Sequence, residues 1–114
     1  MPNRRRGEAA VTFGGERYTL CLTLGALAEL EDAFGVDDLA ALGERFSTGR
    51  LSGRDLTKLL AVALRGGGHT LTDAEVAALP LDGGIEPAAD ALADCLALAF
   101  GGAGRENPQP PQGA

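Results

Sequence analysis

The chain has few aromatic residues, and this shortage limits the kind of core it can build. Its 114 residues include no Trp, one Tyr and four Phe. The core must therefore consist chiefly of Leu, Ala and Val, and because Leu and Ala are strong helix formers, an α-rich fold is favoured. At this length we expect one modest core, since only about two thirds of the unfolded chain's surface is buried on folding.

The chain also lacks an excess of basic residues and a long apolar run. Its formal net charge is −6, which argues against nucleic acid as the main partner, because phosphate binding needs clustered Lys and Arg. Arg4-Arg5-Arg6 is the exception; we interpret residues 1–7 as a flexible basic leader, with a contact to an acidic partner or a phosphate backbone as the alternative. No run of about 18 apolar residues occurs, so no membrane span is expected.

No residue pattern indicates catalysis, a cofactor or a metal ion. The single histidine, His69, stands in a Gly-rich turn without a second His or a Cys nearby, so we interpret it as an ordinary loop residue. Ser47 and Ser52 lack the G-x-S-x-G context of a nucleophile. The run Gly66-Gly67-Gly68 lacks the Gly-Lys-Ser/Thr ending of a phosphate loop, and we interpret it as a helix stop and hinge. The sequence therefore predicts no enzyme.

The two cysteines indicate a reducing environment. Cys21 and Cys95 are far apart and lie within apolar segments, where a free Cys behaves as a small hydrophobic residue. Because no secretory signal is evident, we expect a soluble protein of the bacterial cytoplasm. A structural disulfide is the less favoured alternative.

A β-hairpin is predicted over residues 10–23. Two short segments, Val11–Phe13 and Tyr18–Leu22, flank Gly14-Gly15, and such a pair of glycines is a hairpin signal because both positions tolerate positive φ. An isolated two-stranded hairpin is marginal in water, so it must pack on helices or pair with another chain. An exposed edge strand would offer its N–H and C=O groups to a partner.

Five short helices are predicted after the hairpin, and the chain is thus mainly α with a short N-terminal β-hairpin (α+β), a small bundle of about five short helices. The first has Leu27, Leu30 and Phe34 on one face and Gly35 just after its end. Ser52 with Asp55, and Thr72 with Glu75, are typical of helix-capping boxes. The predicted helices lie at about residues 24–34, 37–47, 53–65, 72–79 and 87–100.

The helices and the hairpin should form a single globular domain over residues 8–101. Pro108-Gln109-Pro110-Pro111 and the surrounding Gly and Asn residues cannot bury enough apolar surface to fold, so residues 102–114 are predicted to be a disordered tail.

Acidic residues are concentrated between Glu29 and Glu44. Solvated helix faces and helix caps are the simpler interpretation, and recognition of a basic partner segment is the alternative. Glu31 falls on the apolar stripe of the first helix, where an ionised carboxylate needs an Arg partner or an exposed position. An ion pair with Arg17 is the first expectation for Glu31, and a direct contact to another protein is the second. The acidic residues are Glu29, Glu31, Asp32, Asp37, Asp38 and Glu44.

The first 65 residues resemble a known family in four stretches. These are Asn3–Glu8, Leu22–Glu31, Ala33–Gly35 and Leu51–Leu56. They are similar to the gene transfer agent and phage tail-assembly-chaperone-like proteins, a family that has also been described as tail-tube-like. After Arg65 the similarity is looser.

The resemblance implies a non-enzymatic assembly factor without a cofactor. Such a protein would bind the tail tape-measure protein, and the tail tube protein as a further partner, while the tail of a phage-like particle is assembled. A structural tube or connector component is the alternative, and a small regulatory or nucleic-acid-binding protein is a third. The shortage of predicted strands favours the chaperone. Retention in the finished particle and oligomerisation are left open.

The densest resemblance lies on the hairpin and the first helix, which we therefore predict to carry the partner-binding surface. The residues predicted for that surface are Tyr18, Leu27, Glu31 and Phe34.

Overall fold

An N-terminal β-hairpin precedes five α-helices, so the predicted fold class is confirmed. The computed structural model describes residues 7–47, 52–81 and 83–100, without the side chain of Ser47. The predicted tail and all but Gly7 of the predicted leader lie outside the described residues. The elements are β1 (Glu8–Phe13), β2 (Glu16–Cys21), α1 (Leu24–Phe34), α2 (Leu39–Ser47), α3 (Gly53–Gly66), α4 (Asp73–Ala77) and α5 (Glu86–Ala99).

The tight turn of the hairpin depends on its two glycines. Gly14 and Gly15 have φ values of 60° and 81°, which glycine adopts without steric cost. The register pairs Val11 with Tyr18 and Ala9 with Leu20, so that these residues share one face of the sheet. That face packs on the helices: Leu20 is fully buried, and Ala9 and Val11 are buried beside it.

Local capping fixes most of the helix ends. The carboxylate of Asp38 accepts a hydrogen bond from the Ala41 N–H at 2.8 Å, so α2 begins at Leu39 rather than at the predicted residue 37. Both predicted capping boxes are present, at the starts of α3 and α4. Because Thr72 is itself the N-cap, α4 is shorter than the predicted 72–79. At the end of α1, Gly35 takes the expected left-handed conformation with φ of 68°.

One apolar cluster joins the hairpin to all five helices. The central helix is α3, whose residues from Leu59 to Leu64 are all buried. α3 packs on β2, α1, α4 and α5, while α5 packs mainly on β1. The fully buried side chains with the largest volumes are Leu20, Leu30, Leu42, Leu59, Leu64, Leu92, Val62 and Cys95.

The end of α3 lies directly against the outer edge of β2. A Cβ atom at Gly67 would overlap the carbonyl oxygen of Thr19, and one at Gly66 would overlap that of Cys21. Beyond the helix, His69 Nε2 accepts a hydrogen bond from the Thr19 N–H at 3.0 Å. The predicted helix stop is confirmed, since Gly67 is the C-cap. The run of glycines has a second role, because it lets the helix end approach β2 closely.

Candidate protein-interaction surfaces

Tyr18 lies on the hairpin beside two other rings. Its ring centroid is 5.8 Å from that of Phe13 and 5.2 Å from that of His69, which it meets edge-on. The hydroxyl donates a long hydrogen bond of 3.5 Å to the Glu16 carboxylate. Tyr18 is half-buried, with one side against the core.

Phe34, at the end of α1, lies in different surroundings. Its ring meets that of Phe46 edge-on at 5.3 Å, and the guanidinium carbon of Arg45 lies 5.3 Å from the Phe34 ring centroid. Arg45 also forms an ion pair with Asp55 at 3.1 Å, which joins α2 to the start of α3. Phe34 is half-buried and therefore remains accessible in part.

A groove of about 590 Å³ lies beside Phe34, between α1, α3 and α4. We call it the helical groove. It combines apolar side chains with charged ones of both signs: Arg54, Lys58, Asp55 and Asp73 line it together with the alanines of α1 and α4. The lining residues are Ala33, Phe34, Arg54, Asp55, Thr57, Lys58, Asp73, Ala74 and Ala77.

The other two predicted surface residues do not complete one surface with Tyr18 and Phe34. Leu27 is buried, with 6% of its surface exposed, and belongs to the core. Glu31 is half-buried on α1, and no ion pair joins it to Arg17 within the described residues, so the first expectation for Glu31 was wrong. Arg17 instead lies on β2, on the sheet face opposite Leu20. A direct partner contact of Glu31 remains a prediction.

An ion-pair network crosses the surface between α1, α3 and α4. Arg65 donates to Glu29 at 2.8 Å and to Asp73 at 3.0 Å, and Lys58 contacts the same two carboxylates at 3.3 and 3.5 Å. The hydrogen bond from Arg65 is the main cause that lowers the pKa of Asp73. Glu29 therefore has structural partners within the chain. Asp38 has one as well, since it caps α2. Both residues agree with the simpler interpretation of the acidic segment.

A second concave surface was not anticipated from the sequence. It lies between the tip of the hairpin, α3 and α4, has a volume of about 170 Å³, and we call it the apolar recess. Leu81 and Ile85 stand at its rim with 48% and 54% of their surfaces exposed. The only feature of the sequence that could have indicated this recess is the presence of two large apolar residues, Leu81 and Ile85, in a segment rich in Gly and Pro. The lining residues are Phe13, Gly53, Leu56, Thr57, Leu60, Val76, Ala77, Leu79, Leu81 and Ile85.

The cysteines do not form a disulfide. Cys95 is fully buried in α5, and burial is the main cause that raises the pKa of its thiol to about 12. Across the described ranges, no three His, Cys, Asp or Glu side chains are grouped so that they could hold a metal ion. None of the helices in these ranges is long and apolar enough to cross a membrane.

The fold and its surfaces define a small α+β protein with a buried hairpin face, an apolar recess and a helical groove lined by apolar side chains and charged ones of both signs. Comparison with known protein families matches residues 6–102 to the family described as phage tail tube protein, GTA-gp10. Because the match begins before β1 and ends after α5, the chain belongs to this family. The resemblance to gene transfer agent and phage tail proteins is confirmed at this level.

Searches with the whole chain found no similar curated protein and no similar solved structure.

Proposed function

We propose that the protein is a structural component of the tail of a phage-like particle or gene transfer agent, where it binds other tail proteins and catalyses no reaction. The observation that carries this proposal is the family match over residues 6–102, which includes all seven elements of the fold. On this proposal the protein is particle-associated, and tail proteins are its partners.

The apolar recess supports binding to another polypeptide. Exposed apolar surface that is concave and continuous with the core is typical of protein-interaction sites. Leu81 and Ile85 could cover the apolar side chains of a partner, and that partner would in turn remove the two residues from water. The recess is therefore the surface that we assign to contact with a neighbouring tail protein.

An assembly chaperone for the tape-measure protein is the second candidate. The observation that favours it is the single two-stranded sheet of the described residues, because a tube wall built of continuous sheet needs more strands. The apolar recess and the helical groove would then hold apolar positions of a long helical client until assembly displaces the protein.

The two candidates differ in where the protein is found. A tagged chain would be produced in particle-forming cells, and its copies in purified particles would be counted by quantitative mass spectrometry. We expect repeated copies in every finished particle. Recovery with the tape-measure protein but absence from particles would favour the chaperone, and absence from both would contradict both proposals.

A matched pair of variants tests the apolar recess. Ile85→Glu places a charge at the rim, whereas Leu24→Glu places the same charge at an apolar residue that is 83% exposed on α1 and does not line the recess. Both variants should fold, as judged by circular dichroism. We expect Ile85→Glu to lower incorporation into particles at least about tenfold, because a desolvated charge opposes docking, and Leu24→Glu to have no effect. If both variants were incorporated equally well, the apolar recess would not be the surface that contacts a neighbouring tail protein.

A further inference from the structure

The apolar recess and the helical groove are neighbours that share two lining residues, Thr57 of α3 and Ala77 of α4. On α3, Leu56 and Leu60 are one turn apart and line the recess, whereas Lys58 lines the groove, so Thr57 stands between the two rows. Because Thr57 and Ala77 both have small side chains, only a low ridge separates the two hollows. Together they form one furrow across the N-terminal half of α3, which we call the α3 furrow.

The walls of the α3 furrow favour a helix as its occupant. They consist mainly of side chains of α1, α3 and α4, and the small side chains of Ala33, Ala74 and Ala77 let a partner backbone approach closely. An extended segment would need a strand edge to bond its backbone N–H and C=O groups. A helix satisfies these groups internally, and its apolar side can cover Leu81 and Ile85 at the recess end.

The charged residues that line the α3 furrow are paired, except for Arg54. Asp55 forms an ion pair with Arg45, and Lys58 forms one with Asp73. Arg54 is exposed, and within the described residues no hydrogen bond or ion pair reaches its side chain. A partner that fills the furrow would cover this guanidinium, and a charge removed from water needs an opposite one. Charge complementarity therefore indicates an acidic residue on the partner.

We propose that the α3 furrow binds one amphipathic helix of another tail protein, with apolar side chains of that helix in the recess and a carboxylate beside Arg54. The inference rests on the proposed function for the partner being a tail protein, and it adds which kind of segment fits. Apolar contacts in the recess supply most of the affinity. The pair with Arg54 fixes the direction of the helix, because a charge pair contributes more to specificity than to affinity.

Photo-cross-linking at the two ends of the α3 furrow tests whether one segment occupies both. The photoreactive amino acid p-benzoylphenylalanine replaces Ala33 in one variant and Leu81 in another, both of which are exposed. Each full chain is produced with an affinity tag in particle-forming cells and irradiated there. Mass spectrometry of the cross-linked peptides then identifies the partner segment. We expect both positions to label the same amphipathic segment of one tail protein, and that segment to contain Asp or Glu.

Substitutions of Arg54 test the charge. Arg54→Glu reverses it in the first turn of α3, where an acidic residue favours the helix, and Arg54→Lys keeps it. Arg17→Glu is the matched control, because Arg17 is also exposed but does not line the furrow. Arg54→Glu should lower the yield of cross-linking from Leu81 about tenfold, and the other two variants should keep it. Changing the partner's acidic residue to Lys should restore the yield of Arg54→Glu.

Several results would overturn the inference. These are labels on two unrelated segments, labels on a second copy of this chain, a labelled segment without an acidic residue, no cross-link from one of the two positions, or a yield that Arg54→Glu leaves unchanged. The count of the chain in purified particles is independent of these results. A chain that is present in particles without such cross-links would contradict only this inference. One helix of a tail protein, captured by a chain that is absent from particles, would contradict only the proposed structural function.

Discussion

His69 accepts a hydrogen bond from the backbone N–H of Thr19, 50 residues earlier in the chain, at 3.0 Å. The bond closes the edge of β2 at the point where α3 ends, and it needs an unprotonated Nε2. His69 lies in the loop that follows α3, and its side chain holds the hairpin to the end of this central helix.

Replacing His69 should loosen this junction. His69→Ala leaves the Thr19 N–H without its partner, and we expect a loss of about 1–2 kcal/mol in the free energy of unfolding, measured by urea denaturation. The Thr19 amide should also exchange faster with solvent. His69→Gln keeps an acceptor and is the control. Unchanged exchange at Thr19 in the Ala variant would show that the bond does not hold this edge.

Substituting Gly67 by Ala should be strongly destabilising. The new Cβ would overlap the Thr19 carbonyl oxygen, so either α3 or β2 must move. We expect a loss of at least about 2 kcal/mol in the free energy of unfolding, because substitutions that force the backbone to move are among the most destabilising.

Gly43→Ala is the matched control for that change. In α2 the new Cβ would meet only the Phe100 ring at 4.0 Å, an ordinary contact. Because Ala is a better helix former than Gly, we expect the free energy of unfolding to rise by up to about 1 kcal/mol. Similar losses for both variants would contradict the close approach of α3 to β2.

Stability should fall in acid because two aspartates are more acidic in the folded chain. The pKa of Asp73 is lowered chiefly by the hydrogen bond from Arg65, and that of Asp55 chiefly by the backbone N–H of Ser52. A folded pKa below the unfolded value stabilises the protein above the unfolded pKa, and this contribution is lost as pH falls through the folded pKa. Chemical denaturation between about pH 5 and pH 2 measures the loss.

Asp73→Asn should make the stability of the protein less dependent on pH in this range, because one of the two groups is removed. Asp90→Asn changes an exposed aspartate of α5 and serves as control. If the stability of Asp73→Asn fell in acid as much as that of the wild type, the ion pair between Asp73 and Arg65 would not contribute to the acid sensitivity.

The two cysteines should differ in reactivity. Burial raises the pKa of the Cys95 thiol to about 12, so almost no thiolate forms at neutral pH, whereas Cys21 is only half-buried. With a thiol reagent at neutral pH, we expect Cys95 to react only after denaturant is added. Mass spectrometry of the labelled peptides identifies the site. Rapid labelling of Cys95 in the folded protein would mean that α5 opens readily from β1.

Features set by neighbouring residues could be predicted from the sequence. The turn at Gly14-Gly15, the cap at Gly35 and the boxes that begin at Ser52 and Thr72 each depend on residues within four positions of one another. The fold class follows from these signals and from helical periodicity.

Features that join distant segments could not be predicted in the same way. The place of His69 beside Thr19 depends on how α3 crosses the hairpin, and no local pattern encodes that crossing. Periodicity identified Leu27 and Phe34 on one helix face, yet packing buries the first and leaves the second half-exposed. Arg17 was expected to pair with Glu31 because Glu31 falls on the apolar stripe of α1, yet no such ion pair is present among the described residues.

The Gly66-Gly67 contact with β2 also limits how the protein can polymerise. A sheet that grows from copy to copy needs two open sides on each subunit, and here the helix end occupies one of them. A sheet therefore cannot grow continuously from copy to copy through the hairpin, because its β2 edge is occupied. Any longer array of this chain must repeat through its helical surfaces, and runaway fibre formation through the hairpin is blocked by two residues that have no side chain.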